Sequence, residues 1–311
     1  MKRVVVFGGA GFLGSHVVEE LCRRGFFVRI YDSDNFGYHL SGSYEVIKGD
    51  VLDEERVKKA VEGCDIVYNY AGVSDIERAS ERPLHTVRSN ILGNTVILEA
   101  CRLYRVQRFV FASSLYVYSQ KGSFYRGTKH ACELLIENYH ECFNLPYTIL
   151  RYGSLYGPRA DERNIIFKFI TQALTEGKIT REGNGEEIRE YIHVTDAARL
   201  SVQILDESYA NRHLVLTGQE RMAVKNLMRM ISEMLPGGVN VRYGNRHDDG
   251  HYAMTPYAFH PKVGHKLVAN DYVDLGQGLL DCLADIHERL GIPGRKRTDG
   301  RKRPAGSRPK R

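Results

Sequence analysis

The segment from Val4 to Gly14 constrains this chain more than any other. A four-residue apolar run over 4–7 enters Gly8-Gly9-Ala10-Gly11-Phe12-Leu13-Gly14, and a helical pattern follows over 12–24. A strand, a tight turn and a helix in that order need residues without a Cβ at the turn. Gly8 permits the turn itself, Gly11 lets the backbone approach a phosphate, and Gly14 lets the helix pack closely on the strand. The helix N-terminus presents unpaired N–H groups and the positive end of a dipole. The spacing is GxxGxxG, and its strand-to-helix context predicts a dinucleotide held by Gly8, Gly11, Phe12, Leu13 and Gly14.

The rest of the first half supports that reading. Apolar runs over 27–31, 44–48, 66–70, 109–113 and 147–152 alternate with amphipathic stretches over 54–62, 83–104 and 127–143. Continuous Val/Ile-rich strands separated by helices predict a parallel sheet covered on both faces. The class is α/β, a Rossmann-type doubly wound parallel sheet. After Gly157-Pro158 the rhythm changes, with helices predicted over 164–175, 196–205, 224–235 and 274–290 between short strands. Residues 1–157 are expected to form the NAD-binding domain, with later segments returning to it. Residues 158–293 are expected to form a smaller mixed α/β region that contacts substrate, and 294–311 a disordered basic tail.

Charge divides along the same lines. The chain of 311 residues has a formal net charge of +6. Residues 295–311 hold nine Lys/Arg against one Asp, or +8, while 1–294 hold 35 basic and 37 acidic residues, or −2. The basic excess belongs to the tail, which can attract polyanions nonspecifically. Nucleic acid is not an expected partner of the body. The six cysteines form no CxxC and no zinc spacing, so free thiols in a reducing cytoplasm and no metal are expected. The apolar run at 4–7 is too short for a secretory core, and no run of ~18 apolar residues predicts a membrane span.

Asp32 stands at the end of the second strand, 18 residues after Gly14. A carboxylate there accepts both hydroxyls of an adenosine ribose and repels a 2′-phosphate, which favours NAD over NADP. No Arg follows at Ser33 or Asp34. Asp50 and Val51, after the third strand, are placed for the adenine edge. Ala71 and Gly72, after the fourth, let the cofactor pass closely.

The fifth strand ends Phe111-Ala112-Ser113-Ser114, and Tyr125 and Lys129 follow at i,i+4 spacing. On a helix these two side chains share a face one turn apart. A free tyrosine has a pKa near ~10, too high for a base at neutral pH. A nearby ammonium and an oxidised nicotinamide favour the phenolate. Tyr125 then takes a proton from a sugar hydroxyl while hydride leaves to the cofactor, Ser114 hydrogen-bonds the same oxygen, and Lys129 also holds the nicotinamide ribose.

At this point the sequence resembles the extended short-chain dehydrogenase/reductases, in the NAD-dependent epimerase/dehydratase family that acts on nucleotide sugars. The likeness covers about residues 1–290. It is carried by GGAGFLGSH at 8–16, NYAGVSD at 69–75, NILGNTVILEA at 90–100, FASSLYVYS at 111–119, YRGTK at 125–129, RYGSLYGPR at 151–159 and REYIHVTDAA at 189–198. The resemblance implies Ser114, Tyr125 and Lys129 as the catalytic triad, with Asn90 in support. It implies Ser113 and Tyr152 beside the cofactor. It places Ser74, Ser154, Arg189 and Arg246 toward the substrate, a nucleoside di- or monophosphate sugar. Guanidinium groups suit a diphosphate because they join charge to paired donors. It also implies a homodimer built on helices near 90–104 and 129–143.

Three departures stand out. Ser154 replaces the Asn usual in the family, the stretch from Ser114 to Tyr125 is short, and HYAMTPYAFHPK at 251–262 does not match the usual pattern. Dehydratases of the family place Asp-Glu directly after the active-site Ser/Thr, and decarboxylases keep a Glu there. Here Leu115 and Tyr116 follow Ser114. Neither can serve as the acid/base that eliminates water, so the leading expectation is a nucleotide-sugar epimerase, most readily at C4. A 4-keto-sugar reductase or sugar dehydrogenase, which exchanges its cofactor at each turnover, is the alternative.

Overall fold

The computed structural model describes residues 1–34, 40–244, 251–254, 256, 265–268 and 271–291. Arg246 and the basic tail lie outside the described residues. The chain begins with β1 (Arg3–Phe7), α1 (Phe12–Arg23), β2 (Phe27–Asp32), β3 (Tyr44–Lys48), α2 (Glu54–Val61) and β4 (Ile66–Asn69). It continues through α3 (Ile76–Glu81), α4 (Pro83–Val87), a π-helical turn at Arg88–Leu92, α5 (Gly93–Leu103), β5 (Arg108–Ser114), α6 (Ser123–Phe143) and β6 (Tyr147–Tyr152). The second half holds β7 (Ser154–Tyr156), α7 (Ile165–Glu176), β8 (Lys178–Glu182), β9 (Ile188–His193), α8 (Val194–Gln203) and β10 (Arg212–Leu216). Then come β11 (Arg221–Ala223), α9 (Val224–Glu233), β12 (Asn240–Gly244), the two-residue β13 (His265–Lys266) and α10 (Leu275–Arg289).

The main sheet runs β13-β10-β6-β5-β4-β1-β2-β3, and all of its pairings are parallel. Strand periodicity explains its two faces. Val4 and Val6 pack with Val17, Val18 and Leu21 of α1 and Leu200 of α8, while Val5 and Phe7 pack with α2, α5 and α6. Burying each such side chain stabilises the fold by roughly 1.5–3 kcal/mol. Because β10, β13 and α8 join this body, the chain returns to the sheet after residue 158. A third apolar cluster unites α7, α9 and α10 in the smaller region, beside the β11-β9-β7 and β12-β8 sheets.

β1 pairs with β2 on one side and β4 on the other. The strand order reverses there, and a crevice opens at the carboxyl ends of the strands, where ligands of such sheets bind.

Two helices differ from the sequence reading. The pattern over 83–104 is not one helix, because the π-helical turn separates α4 from α5. Its cause is Asn90, whose amide bonds Val73 N (2.7 Å), Val73 O (3.0 Å) and Thr128 Oγ1 (2.9 Å). Wide turns of this kind recur at functional sites. The helix expected from 127 begins at Ser123, so Tyr125 and Lys129 share it from the first turns.

Candidate active site

One continuous open cleft runs from the glycine turn to Arg189. It is lined by Gly8, Gly11, Phe12, Leu13, Gly14, Asp32, Asp50, Val51, Ala71, Gly72, Ser74, Ser113, Ser114, Tyr125, Lys129, Tyr152, Ser154 and Arg189. Asn90 lies just behind this wall. A Cβ on Gly72 (φ +134°) would fall 2.5 Å from Asn90 Oδ1, so that glycine is what lets the Asn90 amide reach the loop after β4.

The cofactor half is shaped by missing side chains. Gly8 has φ +77°, and a Cβ there would sit 2.6 Å from Ala71 N; one on Gly14 would sit 2.1 Å from Gly8 O. Gly11 precedes α1 with no side chain capping the helix, and no acidic residue occupies its first turn. That leaves an uncapped helix N-terminus facing the cleft, a fit for pyrophosphate. The Asp32 carboxylate is fixed by Ala10 N at 2.8 Å and Asp34 N at 3.1 Å. Burial raises its pKa and those N–H groups oppose the rise. Asp50, expected at the adenine edge, lines the cleft and its Oδ1 accepts Leu52 N at 2.9 Å in a local turn.

At the reaction end, β5 delivers Ser114 and α6 delivers Tyr125 and Lys129. The Ser114 hydroxyl lies beside the Tyr125 phenol, near enough to lower its pKa. Burial pushes the Tyr125 phenol above its ordinary value, with Ser114 opposing and Tyr252 adding to the rise. Lys129 Nζ donates to Ala112 O at 2.7 Å and lies 4.8 Å from the Phe111 ring and 6.0 Å from the Tyr125 ring. Burial lowers the Lys129 pKa to about 8, so it is still an ammonium at neutral pH. Ser113 turns away from this group, and its hydroxyl bonds Glu133 Oε1 at 2.5 Å. Tyr152 directs its hydroxyl to Ser201 Oγ at 2.5 Å and Tyr70 at 3.3 Å.

On the substrate side, the Arg189 guanidinium stacks 4.3 Å from the Tyr252 ring, and its Nη1 donates to Ile188 O at 3.1 Å. Ser154 lies beside the Tyr252 hydroxyl and opposes the rise that burial gives its pKa. Tyr116 packs against both Tyr125 (centroids 6.0 Å apart) and Tyr252 (4.7 Å). The sequence reading did not anticipate Tyr252 or His251, because their positions follow from the path of a distant loop. It also passed over Glu133, although Tyr125, Lys129 and Glu133 repeat at a four-residue spacing that puts them on one helix face.

Among the described residues no helix is long and apolar enough to cross a membrane, and no group of three His, Cys, Asp or Glu side chains is arranged to hold a metal.

A doubly wound parallel sheet with a serine and a tyrosine side by side and a buried lysine at its switch-point crevice defines a dinucleotide-dependent enzyme. The pattern of the NAD dependent epimerase/dehydratase family matches residues 4–216, and the chain belongs to that family. The cofactor is NAD, and the glycine cradle, the uncapped helix and Asp32 fit it.

The chain is 29% identical over 259 residues to a UDP-N-acetyl-alpha-D-glucosaminuronate decarboxylase of Bacillus cytotoxicus, covering 75% of this chain and 80% of that protein. It is 26% identical over 259 residues to the human dTDP-D-glucose 4,6-dehydratase, covering 75% and 74%. The solved structure of a UDP-N-acetylglucosamine 4-epimerase from Methanobrevibacter ruminantium M1, in complex with UDP-N-acetylmuramic acid, superposes with a TM-score of 0.81 at 25% identity. That match covers 93% of this chain and 99% of the other. These relatives perform three different reactions, so the likeness establishes a nucleotide-sugar enzyme family and leaves the reaction to the site.

Proposed function

We propose that this chain is a nucleotide-sugar 4-epimerase that keeps its NAD through the catalytic cycle. The observation that carries the reading is the grouping of Ser114, Tyr125 and Lys129 in the cleft, with Leu115 and Tyr116 after Ser114 where dehydratases and decarboxylases keep carboxylates. Leu115 is wholly buried and has no proton to exchange.

NAD held by the glycine turn and Asp32 would supply a reversible hydride acceptor for the sugar C4. The chain's own residues handle the proton. Tyr125 takes it from the C4 hydroxyl and later returns it, with Ser114 hydrogen-bonded to the same oxygen. The Lys129 ammonium lies close enough to the Tyr125 ring to stabilise charge on it. Arg189, nearly buried against Tyr252, offers paired donors to a phosphate. Beside it the Tyr191 hydroxyl, 6% exposed at the residue level, has no hydrogen-bond partner among the described residues and lines the same cleft. A buried polar group of that kind is satisfied by a ligand. Ser74 and Ser154 complete the substrate side of this reading.

The active form is a homodimer in this reading. Leu92 and Leu103, next to and within α5, and Leu134 and Phe143 of α6 are about half exposed, an apolar surface that a second copy of the chain would cover.

The test is incubation of the purified protein with UDP-glucose, UDP-N-acetylglucosamine and UDP-glucuronate, read by NMR and by the absorbance of reduced nicotinamide. Conversion to the C4 epimer without net cofactor reduction supports the reading. Stoichiometric cofactor turnover, or loss of water or carbon dioxide from the sugar, overturns it.

A further inference from the structure

Tyr116 does not stand alone in the cleft. Its hydroxyl is hydrogen-bonded to Nδ1 of His251, a residue 135 positions later in the chain, with the two rings 6.0 Å apart at 61°. The Tyr116 ring also meets Tyr125 edge-on, at 6.0 Å and 75°. Ser114 Oγ accepts the Tyr116 backbone N–H at 3.3 Å, so the serine beside Tyr125 also fixes the backbone of Tyr116. Gly122 clears the space for its ring, since a Cβ there would lie 2.6 Å from Tyr116 Cδ1. Tyr116 and His251 are both partly exposed, and both line the cleft with Tyr125. The lone tyrosine of the sequence is therefore one half of a pair.

We propose that Tyr116 and His251 form a second proton-transfer pair, acting on the C–H bond of the sugar carbon next to the one whose hydroxyl Tyr125 handles. The inference rests on the epimerase reading, because that C–H is acidic only while the neighbouring carbon is a ketone. The C–H bond breaks and its electron pair enters the enolate. The proton goes to Tyr116 Oη as the Tyr116 hydroxyl proton passes to His251 Nδ1. The reverse transfer rebuilds the C–H bond, and nothing is oxidised or reduced. A free tyrosine, with a pKa near ~10, is a poor base at neutral pH, but an imidazole acceptor with a reference value near ~6.5 brings the pair into range. Because His251 is partly exposed, its proton exchanges with water. The chemistry assigned is hydrogen exchange at the carbon flanking the keto centre, with inversion wherever the proton returns to the opposite face.

The experiment runs the full-length, NAD-loaded protein in D2O with UDP-glucose, UDP-N-acetylglucosamine and UDP-glucuronate, and reads deuterium position by NMR and mass. Tyr116→Phe and His251→Gln are run alongside, with thermal melts and bound NAD content confirming that each variant is folded. The expected result is deuterium on the carbon flanking C4 in the wild type. Its ratio to C4 inversion falls by about a hundredfold in Tyr116→Phe and falls in His251→Gln too. C4 inversion with no deuterium at the flanking carbon overturns the proposal and leaves the epimerase reading standing. Exchange undiminished in both variants also overturns it. No oxidation of any of the three sugars removes the epimerase reading and this inference with it.

Discussion

Glu133 and Arg151 form a buried ion pair, Oε2 to Nη2 at 2.6 Å and Oε1 to Nε at 3.0 Å, one helical turn beyond Lys129. Their exposures are 3% and 5%. Around the pair, Ser113 donates to Glu133, and Arg151 donates to Tyr118 and to His213 Nδ1 at 2.9 Å. Ser113 and Tyr118 flank Ser114 on either side. The pair thereby ties the Ser114 segment to the helix that carries Tyr125 and Lys129, which makes it a positioning device for the site.

Replacing Glu133 with Gln leaves the Arg151 charge buried without its counterion. The expected loss is about 3–5 kcal/mol of unfolding free energy, measured by urea denaturation. Burial alone raises the Glu133 pKa, but the neighbouring His213 and the hydrogen-bonded Arg151 guanidinium prevail and bring it from 4.5 to about 2. The unfolded chain therefore binds the extra proton first as pH falls. The stabilisation from Glu133 is complete above pH 4.5 and is lost as pH drops toward 2. A pH series on the wild type shows this slope, and Glu133→Gln lacks it.

Lys129 behaves in the opposite sense to a stabilising charge. Its pKa falls from 10.5 in the unfolded chain to about 8 in the fold because burial disfavours the ammonium. The cost of holding it is greatest below pH 8 and vanishes as pH rises through 10.5. Lys129→Met is expected to gain about 1–2 kcal/mol near pH 7 after losing the hydrogen bond to Ala112 O. The gain shrinks toward pH 10.5, and catalysis is abolished. Thermal melts across that range, paired with activity, check both statements.

Tyr125→Phe removes the atom that takes the proton of the C4 hydroxyl. It is expected to lower kcat by about 10²–10⁴ while the protein still copurifies with NAD. Steady-state kinetics and the nicotinamide content of the purified variant test it.

Gly14→Ala drives a Cβ to 2.1 Å from Gly8 O, so the glycine turn has to move. Loss of NAD binding by at least about tenfold is expected, equal to about 1.4 kcal/mol. Titration of the apoprotein with NAD measures it, and Gly127→Ala, where an added Cβ meets nothing within 4 Å, serves as the control.

Local features of the sequence carried far into the structure. The glycine turn needs only neighbours, and the four-residue step from Tyr125 to Lys129 is read directly from helix geometry. The helix read from the sequence over 127–143 starts four residues earlier, at Ser123, and Gly127 is an exposed helical position within it. The π-helical turn was illegible because its cause is the contact of Asn90 with Val73 and Thr128, which the fold brings together. The same holds for His251, whose contact with Tyr116 joins residues 135 positions apart in the chain. The missing carboxylates after Ser114 were plain in the sequence; the histidine that joins Tyr116 was not.

The central claim is that hydrogen leaves C4 and returns to C4 within one bound complex. UDP-glucose deuterated at C4, incubated with the NAD-loaded protein and analysed by NMR, tests it most directly. The account predicts a C4-inverted product that keeps its deuterium at C4, with no label released to water or to free cofactor. Deuterium washed out of C4, or carried away on a dissociated reduced cofactor, would contradict it.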